Sequence, residues 1–221
     1  VANAATWIPL GRELGTDAEL IAHDLPGHGD RRDEPFVLAA AIAELAALVA
    51  TESARRPVIV VGDSLGGYLA LAVAARAGAG LAGVVAGGCT FPMRGVFGML
   101  ARVTLLGDAL IPPAALAAVL RRACAPDVFA AIAARGLAPA MRGATLRALL
   151  GRDVPADVAA IRVPLVFING ALDVPLVWCA GWFARRAARG RSIVVPRAPH
   201  GVGLTQPAAF AAAIRELLPA P

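Results

Sequence analysis

A serine with a glycine two residues to either side stands where a short apolar run gives way to an alanine-rich one. Pro57 to Gly78 reads PVIVVGDSLGGYLALAVAARAG, and the serine is Ser64. A hydroxyl becomes a useful nucleophile only when a base takes its proton and an acid orients that base. The chain has three histidines, His23, His28 and His200. His23 and His28 precede the serine, whereas His200 lies in VVPRAPHGVG, on a Gly/Pro-rich loop after a short β-branched run, and is the expected base. Asp173, in NGALDVP, follows the run PLVFIN by four residues and is the expected acid. Two other carboxylates compete less well: Asp108 falls in a helical stretch without strands, and Asp157 precedes PLVFIN instead of following it. The plainer reading of Ser64 is a helix N-cap. The role of Asp63 stays open between a hydrogen bond to the Asp24–Asp30 loop, one to a histidine such as His28, and an electrostatic influence on its neighbour.

Elements must hold these side chains. Val58–Val61 reads as a buried strand, and a helix is expected from Ser64 or Leu65. Gly62 and Gly66 leave room for close approach of strand and helix, and the Leu65 N–H at the helix start points to where oxyanion charge would develop. Further strands are expected at Ala18–His23, Leu81–Ala86, 163–169 and 192–196. Helices are expected at Pro35–Ala50, Val174–Arg189 and Pro207–Leu218. Val/Ile-rich strands alternating with helices imply an α/β fold, a mostly parallel sheet flanked by helices. Acid and base then lie at the same edge of the sheet as the serine. Cys89–Asp157 breaks the rhythm with alanine-rich helical segments and prolines. Its large apolar residues, Leu105 and Leu106 among them, form either a helical layer's core or the lining of an apolar chamber.

Composition narrows the function classes. In 221 residues, 58% are hydrophobic, and the formal net charge of +5 comes from 21 arginines without a lysine. Arginines in scattered pairs near apparent helix ends suit the helix dipole, and with one tyrosine and no aromatic interleaving nucleic-acid binding is not expected. No apolar window is long enough for a membrane span and no signal peptide is visible. Cys89, Cys124 and Cys179 are odd in number and widely spaced, so buried thiols in a reducing, cytoplasmic setting are expected.

The order Ser64, Asp173, His200 and the elements around it resemble the α/β-hydrolase superfamily, in its serine esterase-like branch with a helical cap. The resemblance rests on AHDLPGHGD at 22–30, GDSLGG at 62–67, FINGALD at 167–173 and the PRAPHGVGLTQPAAFAAAIRELL stretch. It implies 1–87 and 158–221 as the two parts of the core and 88–157 as the inserted cap. It also implies Ser64, Asp173 and His200 as catalytic residues, Leu65 as an oxyanion donor, no metal or organic cofactor, and a small-molecule acyl substrate. Members commonly carry His at the position of Asp63. They also have a strand ending in His-Gly that supplies a second oxyanion N–H, and the given sequence lacks it. A missing or separate N-terminal segment completing the sheet is expected, ahead of direct pairing between 18–23 and 58–61. The expected reaction is hydrolysis of a small or medium, largely apolar carboxylic ester through an acyl-serine. A hydroxynitrile-lyase-type enzyme and a non-catalytic hydrolase-like scaffold are the alternatives.

Overall fold

A computed structural model describes residues 2–77, 80–108 and 112–219, except the side chains of 104–108. The expectations that fall on the Asp108, Leu105 and Leu106 side chains therefore lie outside what is described. A short 3-10 turn (Ala4–Trp7) leads into α1 (Ile8–Leu14), and a second such turn (Gly29–Arg31) precedes α2 (Leu38–Ser53). Then follow β1 (Val58–Asp63), α3 (Leu65–Ala74) and β2 (Leu81–Gly87). Helices α4 (Gly95–Asp108), α5 (Pro113–Ala123), α6 (Pro126–Ala134), α7 (Met141–Leu149) and α8 (Val154–Ala160) occupy the next stretch. The chain closes with β3 (Leu165–Gly170), α9 (Val174–Ala184), β4 (Gly190–Val195), α10 (Val202–Thr205) and α11 (Pro207–Arg215).

Two compact units divide these elements: Val1–Ala41 with Met93–Arg152, and Ile42–Pro92 with Asp153–Pro221. The second holds a four-stranded sheet in the order β1-β2-β3-β4, every described pairing parallel. Parallel strands need crossover connections, and these are helical, so helices cover the sheet. Helix α3 packs on β1 and β2, α9 on β3 and β4, and α11 on β2 and β3. Consistent with that cover, β3 is buried at every residue, LVFING, with no polar/apolar alternation. Phe167, Phe183 and Phe210 are fully buried, and the rings of Phe167 and Phe183 meet edge-on with centroids 6.0 Å apart. Removing such a ring from water contributes about 2–3 kcal/mol. β1, at the end of the strand order, is only partly buried over Val58–Val61.

In the first unit, polar side chains tie loops to helices. The Asn3 amide donates to the carbonyls of Ile132 and Gly136, both at 2.9 Å. Asp24 accepts from the N–H groups of Ala4 and Asp30 and from Arg135. Burial by itself would push the Asp24 carboxyl up. The Arg135 guanidinium and the two N–H donors outweigh it and hold the group below the usual carboxylate range.

The structure departs from the sequence expectations at several points. Ala18–His23 is not a strand. A strand persists as part of a ladder, no described strand forms one with this segment, and Glu19, Ile21 and Ala22 are exposed. Helix α2 begins at Leu38 and not at Pro35. Helix α9 stops at Ala184 because the chain turns back: a Cβ on Gly190 would lie 2.2 Å from the Ala184 carbonyl oxygen. Of the three free cysteines only Cys89 is buried, and Cys124 and Cys179 are half-buried. No helix among the described residues is long and apolar enough to cross a membrane.

Candidate active site

The site begins with a corner. β1 ends at Asp63 and α3 starts at Leu65, leaving one residue to turn the chain. Ser64 makes that turn with φ 57° and ψ −120°, outside the regions comfortable for a residue with a side chain. Its N–H donates to the Gly87 carbonyl at 2.9 Å, which pins the corner to the end of β2. Gly62 is required: a Cβ there would lie 2.1 Å from the Gly66 carbonyl oxygen. Gly66 is not the second close approach expected from the sequence, since a Cβ on it meets nothing within 4 Å. Gly67 takes that role, its Cβ position falling 2.6 Å from the Gly87 oxygen and 2.8 Å from the Cys89 sulfur. A helix rotates by about 100° per residue, so neighbouring positions face different surroundings.

Ser64 occupies the N-cap position of α3 but makes no side-chain capping bond. Its hydroxyl meets His200 instead, with Oγ 2.9 Å from Nε2. On the other side of the ring, Nδ1 is 2.5 Å from Asp173 Oδ2. A carboxylate only accepts, so Nδ1 carries the proton and donates it to Asp173; Nε2 is then an acceptor and Ser64 donates to it. The result is a proton path from hydroxyl to imidazole with the imidazole's far side held by an anion. Burial works against a charge on His200, while the Asp173 hydrogen bond and the carboxylates of Asp173 and Asp63 outweigh it and raise its pKa. Half of the imidazole's surface stays open to solvent, and Asp173 is mostly covered.

Backbone contacts bring acid and base together. Ala171 N–H donates to the Val195 carbonyl at 2.9 Å and Leu172 N–H to the Ala198 carbonyl at 3.0 Å, joining the turn that carries Asp173 to the loop that carries His200. Gly170 lets them close in, because a Cβ on it would lie 2.3 Å from the carbonyl oxygens of both Ala198 and Pro199. Arg197, in the same loop, has φ 58°. Neither Gly170 nor Arg197 is among the residues marked by the sequence pattern; a glycine at the last position of an apolar strand is the available signal for the first.

Asp63 bonds to neither the Asp24–Asp30 loop nor His28. Its Oδ2 accepts from Gly203 N–H at 2.9 Å, just past His200 in sequence, and its Oδ1 is sealed from solvent without a hydrogen-bond donor. Burial pushes its carboxyl up, opposed by His200 and by the N–H groups of Gly203 and Ser64. Leu65 is the first residue of α3, so its N–H has no acceptor within the helix.

The remaining candidates have partners of their own. His28 is buried, with Nδ1 3.1 Å from the Pro26 carbonyl, and burial pushes its pKa down to about 4. His23 Nε2 lies 3.2 Å from Arg31. Asp157 faces Arg76 at 3.9 Å. Within the first unit a cavity of about 250 Å³ is lined by methionines, glycines, arginines and Leu150, with no acid, histidine or serine.

Comparison with known proteins gives the family and the fold. The model of the Alpha/beta hydrolase family matches residues 2–213, and the chain belongs to that family. The AMB antimetabolite synthetase AmbE of Pseudomonas aeruginosa is 40% identical over 79 residues. That match takes in 34% of this chain and 4% of the relative, so the chain spans a small part of that relative's length. Among solved structures, E-2-(acetamidomethylene)succinate hydrolase aligns with a TM-score of 0.75 at 22% identity, covering 98% of this chain and 87% of the other. A thermophilic esterase from Thermogutta terrifontis aligns at 0.70 and 22% identity, covering 97% and 85%. At these identities the likeness is one of fold.

Proposed function

We propose that the chain is a serine hydrolase that cleaves a small or medium, largely apolar carboxylic ester through an acyl-serine intermediate. The observation that carries this reading is the hydrogen-bonded series Asp173–His200–Ser64, with the serine on a strained corner and its side chain withheld from capping. Ser64 Oγ attacks the acyl carbon while His200 takes its proton. The Leu65 N–H stabilises the developing oxyanion, and Asp173 the imidazolium. His200 then protonates the departing alcohol, and a water activated by the same ring releases the acid and restores Ser64. Covalent catalysis by Ser64 and acid–base catalysis by His200 thus share the steps, with water as the second reactant. The helical stretch 88–157 is proposed as the cap that selects an apolar acyl group, in line with the largely apolar character of small-molecule sites.

A fluorophosphonate probe tests the reading together with turnover of p-nitrophenyl acetate and butyrate. Modification at Ser64, with hydrolysis lost in Ser64→Ala, is the expected result. Folded wild-type protein left unmodified would make the chain a non-catalytic scaffold. Release of cyanide from a hydroxynitrile without any acyl-serine adduct would make it a lyase.

A further inference from the structure

We propose that Asp63 is a positioning residue that anchors the His200 loop through Gly203 and sets a second negative charge against the imidazole. This rests on the reading of His200 as the base. Asp63 precedes Ser64 directly, yet its side chain is turned toward the histidine loop. Its Oδ2 holds the Gly203 N–H at 2.9 Å, within α10, three residues beyond His200. The other oxygen lies across Gly88 from the imidazole: a Cβ built on Gly88 would sit 3.0 Å from Asp63 Oδ1 and 3.0 Å from His200 Cε1. Carboxylate and ring are therefore no more than twice that separation apart, and Gly88, with φ +57°, is the spacer between them.

Anchoring alone does not call for a carboxylate. A neutral side-chain oxygen would accept the Gly203 N–H equally well. The carboxylate instead leaves Oδ1 sealed from solvent with no donor, an arrangement that costs free energy unless a positive charge compensates it. That charge arises on His200 each time the ring takes the Ser64 proton. Each element around the pair contributes a group. The turn after β3 supplies Asp173, hydrogen-bonded to Nδ1 of the ring, the end of β1 supplies Asp63, and the corner supplies the Ser64 hydroxyl. The Cys89 thiol, after β2, is fully buried, and burial foremost, with the Asp63 charge second, pushes it well above its ordinary range, so it stays neutral. The Tyr68 hydroxyl of α3 donates to the Phe91 carbonyl and is likewise held neutral by burial. Both carboxylates raise the pKa of His200, and burial lowers it. The arrangement thus favours imidazolium from two sides while a hydrogen bond joins only one of them.

Asp63→Asn separates charge from anchoring, because its amide oxygen still accepts from Gly203. The readouts are the pH dependence of Ser64 modification by the fluorophosphonate and the titration of the His200 Cε1–H resonance, with fold checked by thermal unfolding. The expected result is modification about tenfold slower at neutral pH and a His200 midpoint about one pH unit lower. Asp63→Ser, shorter and neutral, should move the midpoint in the same direction if Asn is not accommodated. An unchanged midpoint and rate in folded variants would overturn the proposal and leave Asp63 a structural tie. The titration reads the coupling whether or not Ser64 reacts. A wild-type protein that resists the probe therefore counts against the proposed function, and the His200 midpoints still decide the role of Asp63.

Discussion

Gly66 and Gly67 are adjacent, both in the first turn of α3, and the structure predicts opposite consequences for placing alanine at each. At Gly66 the new methyl group meets nothing within 4 Å, and alanine restricts the unfolded chain and favours the helix. Gly66→Ala should therefore stabilise the protein by up to about 1 kcal/mol. At Gly67 the same helical gain is opposed by a methyl group 2.6 Å from the Gly87 oxygen and 2.8 Å from the Cys89 sulfur. Gly87 is backbone and cannot rotate away as a side-chain end would, and its oxygen is the acceptor for the Ser64 N–H. Overpacking of this kind costs about 1–3 kcal/mol, and the contact with a fixed carbonyl belongs at the upper end. The net loss should be roughly 2 kcal/mol, a fall of about 4–8 °C in Tm for a chain of this size. Gly66→Ala should rise by up to about 2–4 °C. Differential scanning calorimetry gives the two shifts, and p-nitrophenyl butyrate turnover should fall in Gly67→Ala as the corner loosens. Equal destabilisation in both variants, or a neutral Gly67→Ala, would refute the placement of the corner against β2.

Asp173→Asn should reduce kcat about a thousand- to ten-thousand-fold at neutral pH, because an amide can donate to Nδ1 and favour the wrong tautomer. A loss smaller than tenfold, in steady-state hydrolysis, would show that the acid is another residue. In the first unit, Arg135→Ala leaves the Asp24 carboxylate buried without its cation. The folded-state pKa of Asp24 is depressed, so its contribution is present above the ordinary carboxylate range, about pH 4, and is lost as pH falls through the folded value. Urea unfolding should therefore show a cost of about 1–2 kcal/mol at pH 7, moderated by the exposure of Arg135, and a smaller one at pH 3. An equal cost at both pH values would contradict the pairing.

What the sequence revealed was whatever depends on local order along the chain. β1, β2, β3 and β4 came from apolar runs, and the corner at Ser64 from a glycine pattern between two such runs. The pairing of Ser64 with His200 and Asp173 could be expected because a parallel sheet sends the ends of its strands to one rim. Long-range contact decided the rest. Ala18–His23 has the composition of a strand, but composition does not supply a neighbouring strand, and the described sheet consists of β1 to β4 without this segment. Gly66 belongs to the pattern and Gly67 does not, yet the close approach falls on Gly67, because helix rotation and not spacing in sequence decides which residue faces β2. The direction of the Asp63 side chain was equally hidden, since its partner, Gly203, is 140 residues away.

Strain in this chain lies where the reaction would take place. Among the described residues, the non-glycine positions with positive φ are Ser64 and Arg197, at 57° and 58°. One carries the hydroxyl, and the other stands in the loop that carries the imidazole. Backbone held in such regions costs about 1–3 kcal/mol per residue and persists only when the surroundings over-determine it. Here the surroundings are specific: Gly87 holds the Ser64 N–H, Gly62 admits α3 against the end of β1, and Gly170 admits the His200 loop against the end of β3. A serine whose task was to cap α3 would have its side chain on the helix N–H groups, and nothing would then favour keeping a strained corner. The Ser64 side chain caps nothing and lies 2.9 Å from an imidazole. The strain and that hydrogen bond have a common explanation if the hydroxyl is the group that reacts, and neither has one if Ser64 only begins a helix.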